Sequence, residues 1–204
     1  MSHRLALRPS RRSFTLVGAI AVVAALGISS AIVWQASYSA FSATTSNATS
    51  NWAAGTVLLT NDSASTAMFT ATGLKPGSTG TKCIAVTSTG TLPSAVKLYT
   101  SSPATTNALS TYITLTITQG TGGSFASCAS FVADATGSAI YSGTLANIGT
   151  TNTSYANGLT NWSPTGSASE TKTYQFVYTV SASAPNSVQG GTAALGFTWE
   201  ANNT

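Results

Sequence analysis

The stretch Thr171-Lys172-Thr173-Tyr174-Gln175-Phe176-Val177-Tyr178-Thr179-Val180-Ser181-Ala182 decides the fold. Tyr174, Phe176, Tyr178 and Val180 occupy every second position, so an extended chain would carry them on one face. Aromatic and β-branched residues in such alternation are strand formers. A second stretch, Gly190 to Ala201, repeats the pattern with Leu195, Phe197 and Trp199. Joined by Ser183 to Gln189, the two are predicted to form a hairpin across the core. Thr111 to Gln119 alternates most regularly: Ile113, Leu115 and Ile117 on one face, threonines on the other. That is a strand covered on one side and wet on the other.

Working outward, further strands are predicted over Trp52 to Thr60, Ser65 to Thr72, Gly80 to Gly90 and Pro93 to Thr100, the last two pairing with each other. Shorter ones are expected near Ser130 to Ala133 and Ala139 to Leu145. Gly73-Leu74-Lys75-Pro76-Gly77 reads as a turn. Gly120 to Cys128 reads as a glycine- and serine-rich loop, and Asn147 to Ser169 as a surface excursion. No stretch after Val33 combines a sustained helical period with caps. Eight or nine short strands predict an all-β protein, a jelly-roll-like two-sheet sandwich.

The chain has 204 residues with eight Lys+Arg, four Asp+Glu and one His. The histidine and all the arginines lie at the start: His3, Arg4, Arg8, Arg11 and Arg12. An uncharged apolar run, Phe14 to Val33, follows them. Basic start, apolar middle and small residues beyond make a secretory signal peptide. Small residues one and three positions before the cut place cleavage between Ser39 and Ala40. An uncleaved anchor is the alternative, because the run approaches the ~20 residues that span a bilayer. Arg11-Arg12 within Ser10 to Phe14 matches the core of a twin-arginine export signal, or is simply part of a basic segment. The expected division is 1–39 signal peptide, with a helix in its apolar run, 40–51 flexible N-terminal arm, and 52–204 β-sandwich domain.

Beyond residue 39 the charges balance: Lys75, Lys82, Lys97 and Lys172 against Asp62, Asp134, Glu170 and Glu200. Zero net charge gives no electrostatic reason to bind nucleic acid, and it resists self-association weakly. The membrane is expected to be touched only through the signal segment. No imidazole remains to serve as base or metal ligand, and no serine sits in a nucleophile elbow. No catalytic, cofactor or metal residue is therefore assigned. Asp62 is read as a turn former, Glu170 and Lys172 as solvated edge charges, Glu200 as facing outward. Asn-x-Ser/Thr sequons such as those at Asn47, Asn61, Asn152 and Asn161 are expected from composition alone.

Cys83 and Cys128 are the two cysteines. In an exported chain a pair most simply forms one disulfide. Closing 83–128 is worth roughly 4 kcal/mol on the chain-entropy account.

Taken in order, several segments resemble the TasA/camelysin family of secreted fibre and surface proteins. Ala40-Phe41-Ser42 is similar to the family's mature start, cut by a signal peptidase of the SipW type. Trp52-Ala53-Ala54-Gly55-Thr56-Val57 resembles its first strand, and Gly73-Leu74-Lys75-Pro76-Gly77-Ser78 its Leu-Lys-Pro-Gly turn. Lys82 to Leu92 and Leu195 to Ala201 resemble an inner and the terminal strand. The resemblance implies a bacterial jelly-roll subunit of an extracellular biofilm-matrix fibre. There the arm of one copy, with Ala40, Phe41, Thr44, Thr45, Asn47 and Thr49, adds a strand to the next copy. It also implies self as partner, a signal peptidase, and room for an accessory matrix protein. A metallopeptidase label carried by some relatives finds no ligands here. The competing expectations are a monomeric surface module or adhesin, recognising through loops such as Asn147 to Ser169, and a secreted peptidase.

Overall fold

The computed structural model describes Ser42–Thr44, 55–63 and 65–204. Among these residues the chain is an all-β protein of two packed antiparallel sheets. The strands are β1 (Ser42–Thr44), β2 (Leu59–Asn61), β3 (Thr79–Ser88), β4 (Ser94–Thr105), β5 (Ile113–Thr121), β6 (Val132–Ala133), β7 (Ala139–Thr144), β8 (Leu159–Trp162), β9 (Glu170–Val180) and β10 (Ala193–Asn203). One sheet has the order β1-β10-β4-β8. The other runs β2-β3-β9-β5-β6, with β7 also pairing to β5. The proposed signal segment, with its helix, Arg11, Arg12 and the Ser39/Ala40 cut, lies outside the described residues.

Alternation builds the core as the sequence predicts. Tyr174, Phe176 and Val180 on β9 and Ile113, Leu115 and Ile117 on β5 are buried, and β5 and β9 are neighbours with Ile117 opposite Phe176. Val86 and Ile84 on β3 and Val96, Leu98 and Trp199 from the other sheet close the same cluster. Phe176 is completely buried, its ring 4.9 Å from Phe197 and 6.2 Å from Trp199, both edge-on. Such pairs add about 0.5–1.5 kcal/mol beyond burial.

Four expectations are overturned. β9 and β10 are not a hairpin: they belong to different sheets and meet face to face through those rings. Two strands that both present an aromatic face serve a sandwich better as opposite walls than as neighbours in one wall. Likewise β4 does not pair with β3 but crosses to the four-stranded sheet, between β10 and β8. The crossing is made at Gly90, where a Cβ would come within 2.5 Å of the Thr56 carbonyl. Residues 65–72 form no strand; they run as an irregular segment whose Met68 and Phe69 pack on the core. The first predicted strand shrinks to Leu59–Asn61, and 55–58 makes only isolated bonds to Thr89 and Thr91; Trp52 to Ala54 lies outside the described residues.

The expected surface excursion 147–169 is mostly exposed, as predicted, but carries more regular structure than the sequence predicts. It holds the only α-helix among the described residues, α1 (Leu145–Thr151), a 3₁₀ turn over Tyr155–Asn157, and β8. Ile148 and Trp162 are buried. Seven residues ending in Gly-Thr-Thr have little intrinsic helicity; tertiary packing and the Thr144 cap, whose Oγ1 accepts from the Asn147 N–H at 3.1 Å, hold α1. Thr100 fastens it to β4, donating from Oγ1 to the Ile148 carbonyl.

The turn at Lys75-Pro76-Gly77 forms as predicted. Gly77 takes φ +82°, open to glycine and strained for other residues, and the Ser78 N–H closes on the Lys75 carbonyl. Cys83 and Cys128 are disulfide-bonded with Cα atoms 5.4 Å apart, which fits an oxidising compartment. No helix among the described residues is long and apolar enough to cross a membrane.

Candidate assembly edge and inter-sheet cleft

β10 positions the candidate site. One of its edges is filled by β4 along its length, from Ala193 opposite Thr105 to Asn203 opposite Ser94. The other edge is filled, among the described residues, only at its far end. There β1 pairs antiparallel, Ser42 opposite Asn202, Ala43 opposite Ala201 and Thr44 opposite Glu200. From Ala193 to Thr198 that edge has no strand partner among the described residues. Every unpaired edge offers a row of backbone donors and acceptors to another strand.

The sandwich is also open beside this stretch. A cleft of about 450 Å³ separates the sheets, bounded by Met68 and Phe69 of the irregular segment, Leu115 and Tyr178 of one sheet, and Leu195 and Phe197 of the other. Trp199 and Ala201 at the β1-covered end are buried, whereas Leu195 and Phe197 along the uncovered end are only partly so. Phe69 stands edge-on to Tyr178, ring centroids 5.0 Å apart, so an aromatic pair props the cleft wall.

Of the arm residues singled out in the sequence, Thr44 is in β1; Ala40, Phe41, Thr45, Asn47 and Thr49 lie outside the described residues. The sequence showed an arm without apolar alternation. It did not show that three of its residues lie on the terminal strand, because main-chain pairing needs no side-chain pattern.

The four described carboxylates each hold scaffold partners. Asp62 is more than a turn former: Oδ1 accepts the Ala85 N–H at 2.9 Å and Oδ2 the Phe125 N–H at 2.7 Å, tying β3 to the disulfide loop. Lys82 reinforces the same loop, 4.1 Å above the Phe125 ring. Lys172 and Glu170 are not free edge charges. Lys172 pairs with Asp134 at 2.9 Å, where Gln119 also donates at 3.0 Å, and this half-sheltered triad clamps β6 to β5 and β9. Glu170 accepts the Thr165 hydroxyl and N–H, which hold its carboxyl below the ordinary carboxylate value. Glu200 accepts from the Tyr99 hydroxyl at 2.9 Å. Burial, that bond and the Glu200 charge push Tyr99 up to about 12. Burial also pushes the Tyr174 hydroxyl up. No group of three or more His, Cys, Asp or Glu gathers among the described residues.

Neither the models of known families nor the curated proteins contain a match to this chain.

Proposed function

We propose that this chain is an exported, non-enzymatic structural protein. It is a subunit of a surface or biofilm-matrix fibre, assembled when the arm 40–51 of one copy adds a strand to the β10 edge of the next. The observation that carries the reading is the edge itself. The antiparallel pairing of Ser42–Thr44 with β10 supports it, as does the lack of a strand partner for Ala193 to Thr198 among the described residues.

The two sheets, taken with the resemblance, are read as a jelly roll. The disulfide supports an oxidising destination, and the first 39 residues supply the export signal that takes the chain there. Asp62, Asp134, Glu170 and Glu200 each hold backbone or side-chain partners of the scaffold, which supports a structural use for them. The adhesin alternative keeps an exposed surface in 147–169, where Ile148, Gly149, Trp162 and Pro164 are the buried residues. A signal peptidase and a second copy are the partners this function requires; an accessory matrix protein is an optional third. Sedimentation of purified 40–204 across a concentration series is the test. Concentration-dependent polymers that disappear when 40–50 is deleted support the reading; a monomer at every concentration refutes it.

A further inference from the structure

We propose that Lys172 and Gln119 join in an intramolecular isopeptide bond, catalysed by Asp134 of the same chain, that welds β9 to β5. This goes beyond the fibre reading and does not depend on arm donation. Gln119 lies on β5, Lys172 on the neighbouring β9, and Asp134 directly after β6, which pairs with β5. Gln119 is opposite Tyr174, so Lys172 is its diagonal neighbour on the same face, a spacing that long side chains bridge. Lys172 Nζ donates to Asp134 Oδ1 at 3.1 Å and to Oδ2 at 2.9 Å. Gln119 Nε2 donates to that same Oδ2 at 3.0 Å. One carboxylate therefore holds an amine and a carboxamide side by side. The main chain fixes the arrangement: the Asp134 N–H donates to the Gln119 carbonyl at 3.1 Å, and the Gln119 N–H to the Ser138 carbonyl at 2.7 Å. Gly120 lets β6 lie this close, because a Cβ there would collide with the Val132 carbonyl. Gln119 is 3% exposed, and the Lys172 and Asp134 side chains are 18% and 22% exposed, so the reacting groups are confined and mostly shielded from water.

The chemistry needs no co-reactant. Asp134 accepts a proton from the Lys172 ammonium, and the freed Nζ lone pair attacks Gln119 Cδ. Asp134 returns the proton to Nε2, the Cδ–Nε2 bond breaks as the Nζ–Cδ bond is completed, and ammonia leaves. The product is an amide that, unlike the disulfide, survives reducing agents. The test is peptide mapping of the purified chain with its disulfide reduced. A branched peptide joining the segment around Gln119 to that around Lys172, lighter than the two together by one ammonia, is expected. Separate Gln119 and Lys172 peptides would overturn the proposal. A branch from Lys172 to Asp134, lighter by one water, would overturn the assignment of electrophile and catalyst. Lys172→Arg keeps a cation beside Asp134 but has no amine to acylate, so it should fold, judged by tryptophan fluorescence, and lose the branch. Asp134→Ala should lose the branch as well; a folded Asp134→Ala chain that is still branched refutes the catalytic role.

Discussion

Phe176 and Phe197 face each other across the sandwich, and truncating each to alanine reads the cleft directly. Phe176 is fully buried and touches two rings, Phe197 at 4.9 Å and Trp199 at 6.2 Å. Phe176→Ala therefore loses the whole transfer term, a cavity term and two edge-on ring contacts, about 3–5 kcal/mol. Phe197 is only partly covered because it lines the open cleft. Its truncation widens an open groove and leaves no closed cavity, so roughly half that loss is expected. The coupling between the two, measured in a double-mutant cycle, should be about 0.5–1.5 kcal/mol, the value of one aromatic pair. Urea unfolding of 40–204 with the disulfide intact, followed by tryptophan fluorescence, gives all three numbers. Equal losses for the two single variants would mean that Phe197 is as enclosed as Phe176. The open cleft would then be wrong.

Other outcomes follow from the same contacts. Replacing Cys83 and Cys128 together by serine should cost roughly 4 kcal/mol, since the bond closes a 45-residue separation, seen as a lower urea midpoint. Reducing agent should then leave the doubly substituted protein unchanged while weakening the parent. Asp134→Ala leaves Lys172 and Gln119 half-sheltered without their shared acceptor, so a loss of about 1–3 kcal/mol is expected, with amide exchange rising first around β6. The Tyr99 hydroxyl has a folded-state value raised from 10.0 to about 12. Its stabilising contribution is complete below the unfolded value and fades as pH rises between the two. Absorbance at the tyrosinate band should lose a late-ionising group in Tyr99→Phe, and this variant should flatten the stability profile in that window; a Tyr99→Phe profile identical to the parent's would contradict it. For Glu170 the sign reverses. Its lowered carboxyl value stabilises above the unfolded value and loses that effect as pH falls through the folded one. Glu170→Gln should therefore make unfolding less acid-dependent.

Period-two alternation made the long inner strands legible, because in β5 and β9 a single buried face dictates which residue types can alternate. The same signal could not say which strand lies beside which. The aromatic faces of β9 and β10 are equally consistent with neighbours and with opposite walls, and only packing of the whole sandwich selects the second. Residues 65–72 alternate as a strand would, yet Met68 and Phe69 answer to the cleft rather than to a ladder. Helix α1 escaped notice because it is stabilised by Ile148 in the core and by Thr144 at its start, not by its own composition. The disulfide was readable from count and expected compartment. The roles of Asp62, Asp134 and Glu170 were not, because their partners are backbone amides and side chains distant in sequence. At the candidate site the arm was legible as a segment without a core pattern, while its contact with β10 was not, since edge pairing is a main-chain interaction.

Electron microscopy of purified 40–204, beside the same chain lacking 40–50, tests arm donation most directly. Filaments from the first and folded single particles from the second are the expected pair of images. Filaments from the shortened chain, or none from either at any concentration, would contradict the account.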